Sequence, residues 1–220
     1  MHGYLASKES FAYQIPFFER DFDVYSFDFK GFGENKGMDY PYSLDDYVSE
    51  LLQFMEENKI VRPHVIAHSF GARVALKGSY LYPELFDKMV LTGAAGLKPK
   101  NSLKKVFKKL TFNLLKTFIK REKLKGFYSK DYLALDPIMR QSFNKIVKEH
   151  LDYILPCVKN KTLIVFGEDD KDTPLYMAHR LRKGIKNSRL LVIKNAGHFA
   201  FIDKSIKFNF ETREFLLSKD

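Results

Sequence analysis

The stretch H-V-I-A-H-S-F-G, residues 64 to 71, is a short apolar run behind Pro63 that stops at a serine and gives way to a helical pattern. The apolar residues His64 to Ala67 are bounded like a buried strand, and residues 70 to 82 read as a helix stopped by Pro83. A serine on such a junction has two meanings. Its hydroxyl can cap the helix. Alternatively, small residues two positions either side, Ala67 and Gly71, let the chain turn sharply and push the hydroxyl of Ser69 out of the sheet as a nucleophile.

Working outward, strands and helices alternate. Residues 22 to 29, F-D-V-Y-S-F-D-F, read as a strand running into the turn K-G-F-G. Leu44, Val48, Leu51, Leu52 and Met55 keep helical spacing, and Ser43 with Asp46 forms a capping-box signature at the start of that helix. Lys88 to Thr92, Thr162 to Phe166 and Leu190 to Lys194 are further strands. Thr173 and Pro174 open one helix, and Ser205 to Leu217 forms another, with Ile206, Phe210 and Leu217 expected on one side. This order predicts an α/β protein, a mostly parallel sheet with helices on both faces.

Residues 97 to 160 break the alternation. Leu103, Val106, Phe107, Leu110, Leu114, Phe118 and Ile119 keep helical spacing, and more helix is expected from Pro137 to about Tyr153. The expected organisation is a core of residues 1–96 and 161–220 carrying a helical lid at 97–160, at the sheet end where ligands bind. Between Leu97 and Lys130 stand twelve Lys or Arg against the single acid Glu122, a surplus of eleven in a chain whose total is +10. The basicity therefore belongs to one segment. It suits a solvated lid face or contact of residues 97–130 with an anionic membrane. Nucleic-acid binding is disfavoured, since no recognition module accompanies the charge.

The chain of 220 residues fits one domain with an insertion, and 45% hydrophobic residues is ordinary for a globular protein. The one cysteine, Cys157, excludes an internal disulfide framework and lies in the apolar context I-L-P-C-V, which predicts burial. No apolar run is long enough to span a membrane, and the N-terminus lacks a signal-peptide layout, so a cytoplasmic location is the expectation. No spacing suggests a metal site, and G-F-G at 31 to 33 lacks the rest of a dinucleotide fingerprint, so no cofactor is expected.

Downstream, G-E-D-D-K-D-T-P follows one strand from Gly167 and A-G-H-F follows the next from Ala196. An acid and then His198, each after a strand and both downstream of Ser69, give the order serine, acid, histidine of a nucleophilic relay. Together with His2-Gly3 and S-F-D-F-K-G-F-G, these pieces make the chain resemble the α/β-hydrolase superfamily, in its branch of small esterases, acyl hydrolases and C–C hydrolases.

The resemblance implies a serine hydrolase that cleaves a carboxylic ester or related acyl bond. It implies Ser69 as nucleophile, His198 as base and Asp170 as the acid, with Asp169 and Asp172 open as alternatives. The backbone N–H groups of Tyr4 and Phe70 would form the oxyanion hole. A small-molecule ester is the expected partner, and C–C bond cleavage or a non-catalytic binding role is the alternative. His2 and His68 are expected to pack locally, and Asp28 to stabilise its turn.

In that superfamily His-Gly ends a strand lying between those corresponding to residues 22–29 and 64–67, whereas here the pair stands at positions 2 and 3. Without that strand, its neighbours would face each other across about twice the ~4.8 Å spacing of paired strands. The expectation is a reduced sheet that closes up, or a homodimer that covers the edge. If the gap stays open, Tyr4 is expected to be loosely held.

Overall fold

The computed structural model describes residues 1–100 and 135–219. Four strands, β1 (Val65–His68), β2 (Lys88–Thr92), β3 (Lys161–Gly167) and β4 (Ser188–Ile193), form one sheet in the order β1-β2-β3-β4. Every pairing is parallel, with Ala67 opposite Leu91, Leu91 opposite Ile164 and Ile164 opposite Leu190. Successive side chains of a strand point to opposite faces, so near-continuous apolar runs such as T-L-I-V-F serve two cores. Met89, Leu91, Ile164 and Phe166 enter one core, and Val90, Leu163 and Val165 enter the other.

The helices divide accordingly. The described helices are α1 (Ile15–Phe18), α2 (Leu44–Glu57), α3 (Phe70–Leu81), α4 (Pro137–Lys148), α5 (Leu175–Gly184), α6 (Ala200–Asp203) and α7 (Ser205–Leu217), with 3-10 turns at Lys8–Phe11 and Asp152–Cys157. Residues of α2, α3 and α5 pack in the first core, and residues of α1, α6 and α7 in the second. The capping box at α2 forms as its sequence predicts: the Ser43 hydroxyl accepts the Asp46 N–H, and the Asp46 carboxylate accepts the Ser43 N–H.

Three expectations fail, and the side of α7 that Ile206, Phe210 and Leu217 share faces outward. Residues 22–29 form no strand, because the flank of residues 22–27 meets an open groove instead of a backbone edge. The sheet does not close up: β1 is its outer strand, touched on its free edge by Met1. In α7, Ile206 and Phe210 are 74% and 61% exposed, while Phe208 and Phe215 are buried. The helix sits that way because its inward face also buries Asn209, which accepts from the Gln14 amide and donates to the Tyr13 carbonyl. Cys157 is exposed, because the last turn of its 3-10 helix buries Ile154 and Leu155 and turns Pro156 and Cys157 outward.

Of the expected lid, residues 101–134, with most of the basic run at 97–130, lie outside the described residues. The part that is described is seated on the core. Arg73 of α3 donates to the carbonyls of Ile146 and Glu149, and Lys77 pairs with Glu149 at 2.7 Å. The Ser142 hydroxyl accepts the Tyr42 N–H at 2.8 Å. Among the described residues no helix is long and apolar enough to cross a membrane.

Candidate active site

Ser69 stands where β1 meets α3, with φ 48° and ψ −102°. A positive φ in a non-glycine residue is strained and marks a position the surroundings enforce. Here the enforcement is visible: the Ser69 N–H donates to the Thr92 carbonyl, and the Ser69 carbonyl accepts the Ala95 N–H. The residue occupies the N-cap position, yet its hydroxyl caps nothing and has no hydrogen-bond partner among the described residues. Gly71 is required two residues on, because a Cβ there would lie 2.6 Å from the Met1 carbonyl oxygen and 2.8 Å from that of His2.

The acid and the histidine meet. His198, in the loop after β4, places Nδ1 2.9 Å from Oδ2 of Asp170, in the loop after β3. Thr173 donates its hydroxyl to the same oxygen at 2.7 Å, and the Asp172 and Thr173 N–H groups donate to Oδ1. Burial alone would raise the Asp170 pKa. The hydrogen bonds from His198 and Thr173 outweigh it, and the carboxyl sits below its ordinary value. Asp169 and Asp172 are exposed, and the Asp169 N–H is spent on the Ala196 carbonyl, which laces the two loops together. Asp170, Asp172 and His198 carry donor atoms within 4.8 Å of one another, but the Asp170 oxygens are already directed at protein donors.

His198 is held from behind. Gly93, after β2, has φ +51°, and a Cβ there would come within 2.9 Å of the His198 carbonyl oxygen and 3.1 Å of its ring. His68 donates from Nε2 to the His198 carbonyl at 3.2 Å, and the two rings lie 4.7 Å apart. Burial, reinforced by the nearby His198, pushes the His68 pKa down to about 3. Its Nδ1 is buried without a partner, as expected of a neutral ring that packs and does not exchange protons.

Tyr4 and Phe70 flank the serine. Neither backbone N–H finds an acceptor among the described residues, which leaves both free to donate to a substrate oxygen. Tyr4 is firmly held despite the open sheet edge. Its hydroxyl donates to the Met139 carbonyl at 3.1 Å, and its ring meets Phe32, Phe70 and Phe143 edge-on. The preceding residues are also fixed: Met1 bonds to β1, His2 accepts the Phe29 N–H at Nε2, and the His2 carbonyl accepts the Gly71 N–H. Main-chain bonds at Met1 and His2 and side-chain contacts at His2 and Tyr4 thus hold residues 1–4 against the start of α3. Asp28 accepts the Lys8 and Glu34 N–H groups, a turn-stabilising carboxylate.

Thr173 and Gly93 are contributors that a pass along the sequence does not single out. Thr173 carries a helix-start signal that hides its second use, and Gly93 reads as ordinary strand-end punctuation in G-A-A-G.

The family model described as alpha/beta hydrolase fold matches residues 1–118 and 96–205. The uncharacterized hydrolase YugF of Bacillus subtilis (strain 168) is 23% identical over 226 residues, covering 90% of this chain and 81% of that protein. The 2-hydroxy-6-oxo-6-phenylhexa-2,4-dienoate hydrolase of Comamonas testosteroni is 28% identical over 188 residues, covering 74% of this chain and 65% of the relative's length. Among solved structures, a mutant of the meta-cleavage product hydrolase CumD superposes with a TM-score of 0.75 at 26% identity, covering 98% of this chain and 89% of that one. The esterase EaEST from Exiguobacterium antarcticum shares the fold, with a TM-score of 0.78 at 23% identity over 99% of this chain and 90% of the esterase. The matched residues take in the strand-to-helix turn at Ser69 and both loops that bring Asp170 to His198, and the chain belongs to the alpha/beta hydrolase fold family.

Proposed function

We propose that this protein is a serine hydrolase cleaving a carboxylic ester or related acyl bond through an acyl-enzyme. The observation that carries the reading is the Asp170–His198 pair at 2.9 Å, in a fold whose β1–α3 junction holds a serine at positive φ with an uncommitted hydroxyl. With its Nδ1–H directed at Asp170, the neutral His198 ring carries its lone pair on Nε2, the nitrogen that accepts the serine proton. Ser69 Oγ attacks the acyl carbon as that proton leaves. The Tyr4 and Phe70 N–H groups receive the charge that develops on the carbonyl oxygen. His198 returns the proton to the leaving alkoxide, and water repeats the sequence to release the acid.

The Comamonas relative's name favours one second reading, hydrolysis of a C–C bond with the same residues. Turnover of p-nitrophenyl acetate and butyrate, set against a 2-hydroxy-6-oxo-dienoate, separates the two by relative kcat/KM. Ser69→Ala is expected to abolish either activity, and turnover that survives it would refute both. A fluorophosphonate probe that leaves Ser69 unlabelled in the folded protein would favour a non-catalytic binding role instead.

A further inference from the structure

Tyr4 belongs to a strained turn. The Ala6 N–H donates to the Gly3 carbonyl at 3.2 Å, which makes Tyr4 and Leu5 the central residues of a β-turn. Leu5 stands at φ 60°, in the left-handed region that favours glycine. Its side chain is 54% exposed, so little packing of its own holds it there. Such a conformation persists only where the surroundings impose it. On one side the turn is seated against the end of β1, where a Cβ at Gly3 would lie 2.7 Å from Nδ1 of His68.

On the other side the constraint runs through the Tyr4 side chain to α4. The Tyr4 hydroxyl donates to the Met139 carbonyl at 3.1 Å, and Phe143, one helical turn further on, meets the Tyr4 ring edge-on at 5.1 Å. Burial holds the phenol above its ordinary pKa, so it remains a donor. Helix α4 has its own seats on the core: Ser142 accepts the Tyr42 N–H, and Arg73 donates to the carbonyls of Ile146 and Glu149. Arg73 lies on α3, the helix that opens directly after Ser69. One helix thus joins the turn that bears the Tyr4 N–H to the helix that follows the serine.

We propose, resting on the serine-hydrolase reading above, that α4 positions the oxyanion hole. By holding the Tyr4 hydroxyl, it keeps the Gly3–Ala6 turn in its strained form and the Tyr4 N–H directed at the substrate oxygen. The Tyr4 side chain is then a positioning group, separate in role from the backbone N–H of the same residue. Without the tether, Leu5 relaxes to negative φ and the Tyr4 amide moves with the turn. An oxyanion donor out of place weakens the transition state and leaves ground-state binding as it was.

Three substitutions test this. Tyr4→Phe removes the tether and keeps the ring and the N–H. Ser142→Ala loosens α4 at its bond to Tyr42. Leu5→Asn puts at the strained position a residue that tolerates the left-handed region, so the turn no longer needs the tether. Tyr4→Phe is expected to lower kcat for p-nitrophenyl butyrate about tenfold with KM unchanged, and Ser142→Ala about threefold. Ser142→Ala should cost nothing further in the Tyr4→Phe background, and Leu5→Asn should restore most of the Tyr4→Phe loss. Relaxation dispersion at the residue 4 amide, which needs no substrate, should be absent in the wild type and appear in Tyr4→Phe and Ser142→Ala. Unchanged kcat in Tyr4→Phe, a loss confined to KM, or no rescue by Leu5→Asn would overturn the proposal. A wild type that hydrolyses no ester would refute the proposed reaction instead. The amide still decides the coupling in that case, since a residue 4 amide as quiet in Tyr4→Phe as in the wild type overturns it.

Discussion

Gly93 and His198 are in such close register that a single methyl group on the first would stand 2.9 Å from the carbonyl oxygen of the second and 3.1 Å from its ring. The loop after β2 is therefore a backstop against which the backbone and ring of His198 rest.

Gly93→Ala should displace His198 and also strain a backbone at φ +51°. A loss of about 10²-fold or more in kcat/KM is expected, because misplacement of about 1 Å is costly to a proton relay. Strain of roughly 1–3 kcal/mol should lower the unfolding midpoint without abolishing folding. Ester kinetics alongside circular dichroism melts check both; unaltered kinetics in a folded variant would show that the backstop is dispensable.

Ser69→Gly separates strain from chemistry. The residue sits at φ 48°, which glycine adopts freely. Relief of that strain, partly cancelled by the greater freedom of glycine in the unfolded chain, should stabilise the fold by about 1 kcal/mol while ester turnover disappears. Denaturant midpoints of the two proteins decide it. A destabilised variant would mean that the serine geometry carries no strain.

Asp170→Asn and Thr173→Val probe the acid and its support. Replacing the carboxylate that takes the His198 Nδ1–H should cost about 10³–10⁴-fold in kcat. Removing the Thr173 hydroxyl, which donates to the same oxygen at 2.7 Å, should cost about tenfold, together with roughly 1.5–3 kcal/mol of stability. Because the Thr173 hydroxyl holds the acid and does not react, Thr173→Ser should restore most of the loss. A serine variant no better than valine would point to the methyl group's packing instead.

His68 sets a pH signature in stability. Its folded pKa, about 3, lies below the ordinary 6.5, so the unfolded chain binds the proton more readily. Its contribution is intact above pH 6.5 and is lost as pH falls from there toward 3. The Met1 amine, lowered by burial from 8.0 to about 5, acts with the same sign over its own window. Glu50, raised by burial to about 7 from 4.5, acts with the opposite sign between those values. Wild-type minus His68→Asn urea midpoints, taken from pH 7.5 to 4, cancel the shared groups and isolate His68. A flat difference curve would contradict the buried neutral histidine.

Local patterns carried much of the architecture. The period of Leu44 to Met55 and the Ser43–Asp46 box placed α2, and Lys88 to Thr92 and Ser205 to Leu217 bounded β2 and α7. Such signals survive because helix periodicity, caps and apolar runs are properties of neighbouring residues. The order serine, acid, histidine was likewise legible, because motifs at strand ends need only the strands to be recognised.

What the chain could not say locally was decided by what each segment met. Residues 22–29 have the composition of a strand, but a ladder needs a partner edge, and residues 22–27 face a groove. Ile206 and Phe210 sit outward because Asn209 and Thr212 are buried on the inward face of α7. Cys157 is exposed because Ile154 and Leu155 claim the core side of a short turn. Three acids within four residues all suited the sequence pattern, and only the fold brings Asp170 within hydrogen-bonding reach of His198. The sequence by itself determined the elements and the order of the chemistry along the chain. Tertiary structure decided which faces were buried, which acid met the histidine and which edge stayed open, since those depend on partners far apart in the chain.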